Sequence, residues 1–105
     1  MSKTYLSNAF SLNMIDVSAP SNFHIEPVTP EEIANTDFIS VIGHPDTANV
    51  VASILGCRVE FNRCTLTLEQ DDILLVAQYK GPRLEEGATK LPDGATIEFL
   101  KITRS

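Results

Sequence analysis

Three short polar clusters hold the side chains from which this chain can build chemistry. They are Ile42-Gly43-His44-Pro45-Asp46-Thr47, Lys80-Gly81-Pro82-Arg83-Leu84-Glu85-Glu86-Gly87 and Asn8-Ala9-Phe10-Ser11-Leu12-Asn13-Met14. In the first, His44 stands beside the cap of the best-defined helix in the sequence, where free N–H groups and the positive dipole end favour a bound anion such as a phosphate. A histidine at that spot can donate to the phosphate and transfer a proton near neutral pH. In the second, Arg83 can clamp a phosphate bidentately while a neighbouring carboxylate orients or deprotonates a hydroxyl. The third alternates amide or hydroxyl with apolar side chains and offers several hydrogen-bond partners on one side. Each cluster also has a plain structural explanation: a capping or surface histidine, a solvated charged loop, and Asn and Ser terminating a strand. Taken together they describe a phosphodiester site that needs no metal. His24, mid-strand in an ordinary context, reads as structural or exposed.

The elements that must position these clusters alternate in an α/β manner. Residues 3–7 read as a first strand and Asn22–Val28 as a second, with Phe23 and Ile25 on one face. Thr29-Pro30-Glu31-Glu32 has a capping Thr, a Pro at the first helical position and a Glu three residues after the cap, predicting a short helix to about Asp37. Phe38–His44 is an apolar segment ending at a turn before Pro45. The next helix runs from about Pro45 to Leu55, because Thr47, Val50, Val51, Ile54 and Leu55 form one apolar stripe and Gly56 supplies a stop. Cys57, Val59 and Phe61, then Cys64, Leu66 and Leu68, alternate with polar residues, predicting a hairpin that turns near Asn62-Arg63. Ile73–Tyr79 reads as a central strand covered on both faces, and Ala95–Thr103 as the last strand. The intervening loop, about Gly81 to Gly94, is long for so small a chain and therefore a candidate for function.

Composition limits what these elements can serve. The 105 residues carry 14 acidic and 8 basic side chains, a formal charge of -6, with 43% hydrophobic and 21% charged residues. One domain spanning residues 1–105 is expected. The acidic balance argues against coating long DNA or RNA, which requires a broad basic face, while a small anionic ligand held by a few local cations remains compatible. The longest apolar run, Ile73–Ala77, is far short of a membrane span, and Tyr5-Leu6 leads straight into polar Ser7-Asn8 instead of a signal-peptide core. A cytoplasmic protein is therefore expected. Cys57 and Cys64, with only two histidines in the chain, match no zinc pattern and read as buried, reduced thiols.

Tyr5-Leu6-Ser7-Asn8-Ala9-Phe10-Ser11-Leu12-Asn13-Met14, Ile42-Gly43-His44 before a helix, Asn62-Arg63, and Arg83-Leu84-Glu85-Glu86-Gly87 occur together and in this order. Over essentially its whole length the chain resembles the viral ring nucleases, a family that includes type III anti-CRISPR proteins of archaeal viruses and phages and related bacterial proteins. The resemblance implies an α/β fold, a mixed sheet of about five strands flanked by helices, and a two-fold homodimer with the ligand in a cleft between subunits. It implies cyclic tetra-adenylate as substrate, cut without metal or cofactor to linear di-adenylate ending in a 2′,3′-cyclic phosphate, which switches off type III CRISPR signalling. By the same resemblance His44 protonates the 5′-oxygen leaving group, Glu86 orients or activates the ribose 2′-hydroxyl, and Arg83 binds the scissile phosphate. Arg63 supports it, and Asn8, Ala9, Phe10, Ser11, Leu12 and Asn13, with Gly43, contact the ligand. After Glu-Glu-Gly the family's loop often continues into a further helix, whereas this chain has only Ala88–Gly94 before its last strand.

The chemistry asks for positioning, a proton acceptor, charge stabilisation and protonation of the leaving oxygen, which His, Glu and Arg supply. A ring of four identical nucleotides contains a two-fold axis, so a symmetric dimer offers each half an identical site. Two alternatives come from other classes: a module that captures a cyclic oligonucleotide without cutting it, and a structural protein with no ligand, in which His44 affects only stability.

Overall fold

The computed structural model describes residues 3–15, 18, 20–64, 66–69, 71–81, 84, 87 and 90–104. Five strands, β1 (Thr4–Ser7), β2 (Phe23–Pro27), β3 (Ile39–Ser40), β4 (Ile73–Lys80) and β5 (Thr96–Arg104), form one mixed sheet in the order β2-β5-β4-β1-β3. Strand β1 runs parallel to β3 and β4, while β5 runs antiparallel to β4 and β2. Two helices accompany it, α1 (Pro30–Ala34) and α2 (Pro45–Leu55). The α/β architecture expected from the sequence is the one observed.

Strand β4 is central because it can afford burial on both sides. Leu75 and Ala77 face the helices and join Leu6, Ile33, Ala48, Val51 and Phe99 in one core. Leu74 and Val76 point the other way, where Val41, Leu66, Leu68 and Ile102 complete a second cluster on a face that carries neither helix. The continuous apolar run of β4 is what a doubly covered strand requires. Helix α1 begins in a full capping box: Glu32 N donates to Thr29 Oγ1 at 3.2 Å, and Thr29 N donates to the Glu32 carboxylate at 3.3 Å. It is shorter than the predicted run to Asp37, ending at Ala34 with Asn35 as its cap. Helix α2 matches its predicted bounds and stops at Gly56, whose φ of 69° is a left-handed conformation that glycine adopts without cost. Its buried face is Thr47, Ala48, Val50, Val51 and Leu55, and Ile54 lies at the edge of that stripe, 37% exposed.

The predicted hairpin is not formed: no described residue from Cys57 to Glu69 is in a strand. Its two arms are captured by different neighbours. Ser40 Oγ donates to the Glu60 carbonyl, Asn62 N donates to the Ile42 carbonyl and Asn62 Nδ2 to the Ser40 carbonyl, so the first arm lies along the segment that follows β3. The second arm is tied elsewhere, by Leu68 N donating to the Met14 carbonyl. Alternating burial survives at Val59, Leu66 and Leu68, which explains the period-2 pattern without a hairpin, but Phe61 is 52% exposed. The cysteines also depart from expectation, since Cys57 is half-buried and Cys64 exposed. Cys64 begins the second arm, where hairpin pairing would have been needed to bury it.

Candidate functional site

Strands β1, β3 and β4 are mutually parallel through β1, so their C-terminal ends emerge at one edge of the sheet. Each of the three polar clusters follows one of those ends: Asn8 follows Ser7, Gly43-His44 follows the segment after Ser40, and Gly81 follows Lys80. Crevices outside the carboxyl ends of parallel strands are where α/β sheets commonly hold ligands.

His44 is the N-cap of α2 and its backbone is extended. Thr47 N donates to His44 Nδ1 at 3.4 Å, and the Thr47 hydroxyl lies at the same distance from that nitrogen. With Nδ1 accepting from the backbone, the ring hydrogen belongs on Nε2. The ring is exposed, and Nε2 has no partner among the described residues. The cap thus orients the imidazole and leaves one nitrogen for a ligand.

Gly43 explains how Arg63 comes beside it. A Cβ at Gly43 would stand 3.3 Å from Arg63 Cγ and 3.6 Å from its Cβ, so the arginine stem lies against a backbone that only glycine keeps bare. Asn62, the residue before Arg63, is tied to Ser40 and Ile42 and so fixes the backbone from which Arg63 departs. Arg58 is paired with Glu60, and Arg104 donates to the Leu68 carbonyl and Ser21 Oγ. Among the described arginines, Arg63 is the one whose guanidinium has no partner. That leaves its five donors for an anion.

The third contributor arrives from the far loop. Gly87 N donates to Asp46 Oδ1 at 3.0 Å, which sets Gly87 against the first turn of α2, two residues beyond the cap. Arg83 and Glu86 lie outside the described residues.

The Asn8–Asn13 segment is organised by its own serines. Ser7 Oγ accepts from Ala9 N and donates to the Ala9 carbonyl, fixing the turn out of β1, and Ser11 caps a single 3-10 turn, Leu12–Met14, by accepting from Asn13 N. The side-chain amides of Asn8 and Asn13 have no partner among the described residues. Phe10 turns inward against Phe23, ring centroids 5.6 Å apart. Asn8, Ala9 and Phe10 rim a groove of about 380 Å³ floored by Val76, Leu100 and Ile102, on the helix-free face. No hydrogen bond or ion pair links this segment to His44 or Arg63 among the described residues, so the edge of the sheet is what they share. His24 is exposed and paired with Glu26 at 3.1 Å, well away from this edge.

Sequence reasoning did not assign Asp46 or Thr47 their contacts. Thr47 was legible as part of the apolar stripe of α2, but no local signal at Asp46 announces a bond to Gly87.

A family model described as STIV B116-like matches residues 4–100, nearly the full length. The chain belongs to the STIV B116-like family. B116 of Sulfolobus turreted icosahedral virus has a similar solved structure, with a TM-score of 0.77 at 28% identity over 96% of this chain and 98% of that one. "Uncharacterized protein 26" of Sulfolobus islandicus filamentous virus (isolate Iceland/Hveragerdi) is 37% identical over 68 residues, 61% of this chain. The match spans 57% of that relative's length. Both of these proteins are viral.

Proposed function

We propose that this family member is a metal-independent ring nuclease that binds cyclic tetra-adenylate across a two-fold dimer and cleaves it to linear di-adenylate with a 2′,3′-cyclic phosphate. The observation that supports it most is the assembly at the start of α2: an exposed imidazole fixed through Nδ1, an unpaired Arg63 against Gly43, and Gly87, the residue after Glu86, bound to Asp46. In the reaction the ribose 2′-oxygen attacks the adjacent phosphorus in line and the bond to the 5′-oxygen breaks. Glu86 orients or deprotonates the 2′-hydroxyl, and His44, entering the step as the imidazolium with its Nδ1–H turned to the Thr47 hydroxyl, delivers its Nε2 proton to the departing oxygen and is left as the neutral ring. Arg83, with Arg63 in support, offsets the charge that develops on the phosphoryl oxygens. The amides of Asn8 and Asn13 provide donors and acceptors for the rest of the ring. The net charge of -6 does not forbid an anionic ligand, because about four phosphates meet four guanidiniums per dimer and the local field dominates at contact distance. The viral relatives favour a role in disarming a host's signal.

The deciding experiment incubates the purified protein with cyclic tetra-adenylate in excess EDTA and resolves the products by mass. Conversion to linear di-adenylate bearing a cyclic phosphate is expected. An intact ring that nevertheless co-purifies with the protein would make it a capture module and remove the catalytic assignment of His44.

A further inference from the structure

We infer that Thr47 is a positioning residue whose hydroxyl holds the His44 ring in one orientation through every protonation state that the proton transfer passes through. The inference rests on the ring-nuclease reading, and within it only on His44. Nδ1 of the imidazole faces two groups of Thr47, the backbone N–H and the hydroxyl oxygen, each at 3.4 Å. Thr47 is 8% exposed, and its hydroxyl has no other partner among the described residues. Buried hydroxyls in folded chains are paired, and here the ring is the partner. Among the described residues no carboxylate bonds to His44: Asp46, the acid of the same turn, accepts from Gly87 N, and Arg63, the cation beside Gly43, offers donors alone.

The two Thr47 groups differ in what they can do. An N–H only donates, so it suits the neutral ring with a bare Nδ1 and opposes a ring protonated there. A hydroxyl has one donor and two acceptor sites, and rotation of its hydrogen lets it serve either form. In the imidazolium, Nδ1–H donates to Thr47 Oγ1. The Nε2 proton then passes to the 5′-oxygen, which keeps the electron pair of the breaking phosphorus–oxygen bond, while Nδ1 retains both its hydrogen and its acceptor. Without the hydroxyl the charged ring meets an N–H and turns out of the orientation that aims Nε2 at the leaving group. The plain alternative is that Thr47 only fills the buried stripe of α2, where a valine would serve as well.

The test compares Thr47→Val, which keeps the branched shape, and Thr47→Ser, which keeps the hydroxyl, with wild type in cleavage of cyclic tetra-adenylate. T47V is expected to lower kcat roughly 10-fold, the scale of one lost hydrogen bond, while KM moves far less. T47S restores most of the rate, and Thr47→Ala shares the defect of T47V, which guards against crowding by the valine. In a His44→Asn background T47V adds little further loss, since the group it positions is already gone. On a ring with sulfur in place of the bridging 5′-oxygens, whose leaving group departs without a proton, T47V and wild type are expected to cleave at equal rates. Three results would overturn the inference: wild-type turnover in T47V and T47A, T47S as slow as T47V, or a T47V defect that persists on the sulfur ring. Nitrogen NMR of the unliganded protein gives a reading that needs no cleavage. In mildly acidic solution the Nδ1–H of His44 is expected to exchange slowly with water in wild type and T47S, and fast in T47V. If wild type leaves the ring intact, the ring-nuclease reading fails by itself. The Nδ1–H exchange then decides the role of Thr47: the stated difference supports it, and equal exchange in all three proteins refutes it.

Discussion

At the residue scale, His44 has two jobs that a pair of substitutions can separate. As a cap it supplies an acceptor for Thr47 N, and in the proposed reaction it supplies a proton. Asparagine is among the best capping residues and has no proton to give at neutral pH, so His44→Asn is expected to melt close to wild type while turnover falls by roughly 100-fold or more. His44→Ala is expected to lose the same turnover and, in addition, about 0.5 to 1 kcal/mol of stability, at the low end for a cap because its hydrogen bond is long at 3.4 Å. Equal turnover in wild type and H44N would leave the histidine as a cap alone. Gly43→Ala tests the neighbour. The added Cβ meets the flexible Arg63 stem at 3.3 Å, so the side chain gives way and its guanidinium is redirected. KM for the ring is expected to rise several-fold with the melting temperature nearly unmoved, and steady-state kinetics beside a thermal melt reads both. His44 was legible in the sequence because Gly-His-Pro before an apolar stripe marks a helix start. The Gly43–Arg63 contact was not, since nothing local to Asn62-Arg63 says which backbone its stem will lie against.

At the element scale, the elements that were legible are those whose residues make their own case. Strand β4 is apolar throughout its centre, α1 carries a complete capping box, and α2 has both a stripe and a glycine stop. The hairpin failed because alternation reports burial and not pairing partners: Val59 and Leu68 are buried as expected, yet their segments are held by Ile42 and Met14 and not by each other. Asp72 shows the same blindness to long-range partners. In the sequence Asp71-Asp72 is only a pair of acids ahead of β4, but the Asp72 side chain is 3% exposed and ties two elements together. One carboxylate oxygen accepts from Lys3 N at 3.0 Å and the other from Glu69 N at 2.9 Å, clamping the start of β1 beside the start of β4. Asp72→Ala strands both N–H groups and is expected to cost about 3 kcal/mol, lowering the melting temperature by roughly 10 °C or more. Asp72→Asn keeps one acceptor and should fall between. A melting curve for D72A that overlays wild type would mean that water replaces the carboxylate and that the clamp contributes nothing.

At the scale of the whole molecule, the question is whether one chain suffices. The Asn8–Asn13 segment, proposed to contact the ligand, opens into a groove on the helix-free face, whereas His44 stands at the start of a helix on the opposite face, and no hydrogen bond or ion pair joins them among the described residues. A ring with two-fold symmetry brings its own reason for a second copy, since two identical half-sites related by a dyad meet two opposite linkages. Leu12, inside the Asn8–Asn13 segment, is 69% exposed, and Phe61, just before Asn62-Arg63, is 52% exposed. Single exposed apolar residues are ordinary, but these two border the polar clusters where a dyad-related chain would have to approach. Activity and assembly are therefore expected to be linked. Specific activity against cyclic tetra-adenylate should be constant at high protein concentration and fall steeply on dilution, at the concentration where sedimentation shows the dimer dissociating. Leu12→Asp and Phe61→Asp should move that midpoint upward, and excess protein should recover the rate. Were turnover per chain to stay constant through dissociation, each chain would hold a complete site, and the division of the ring between two subunits would have to be given up.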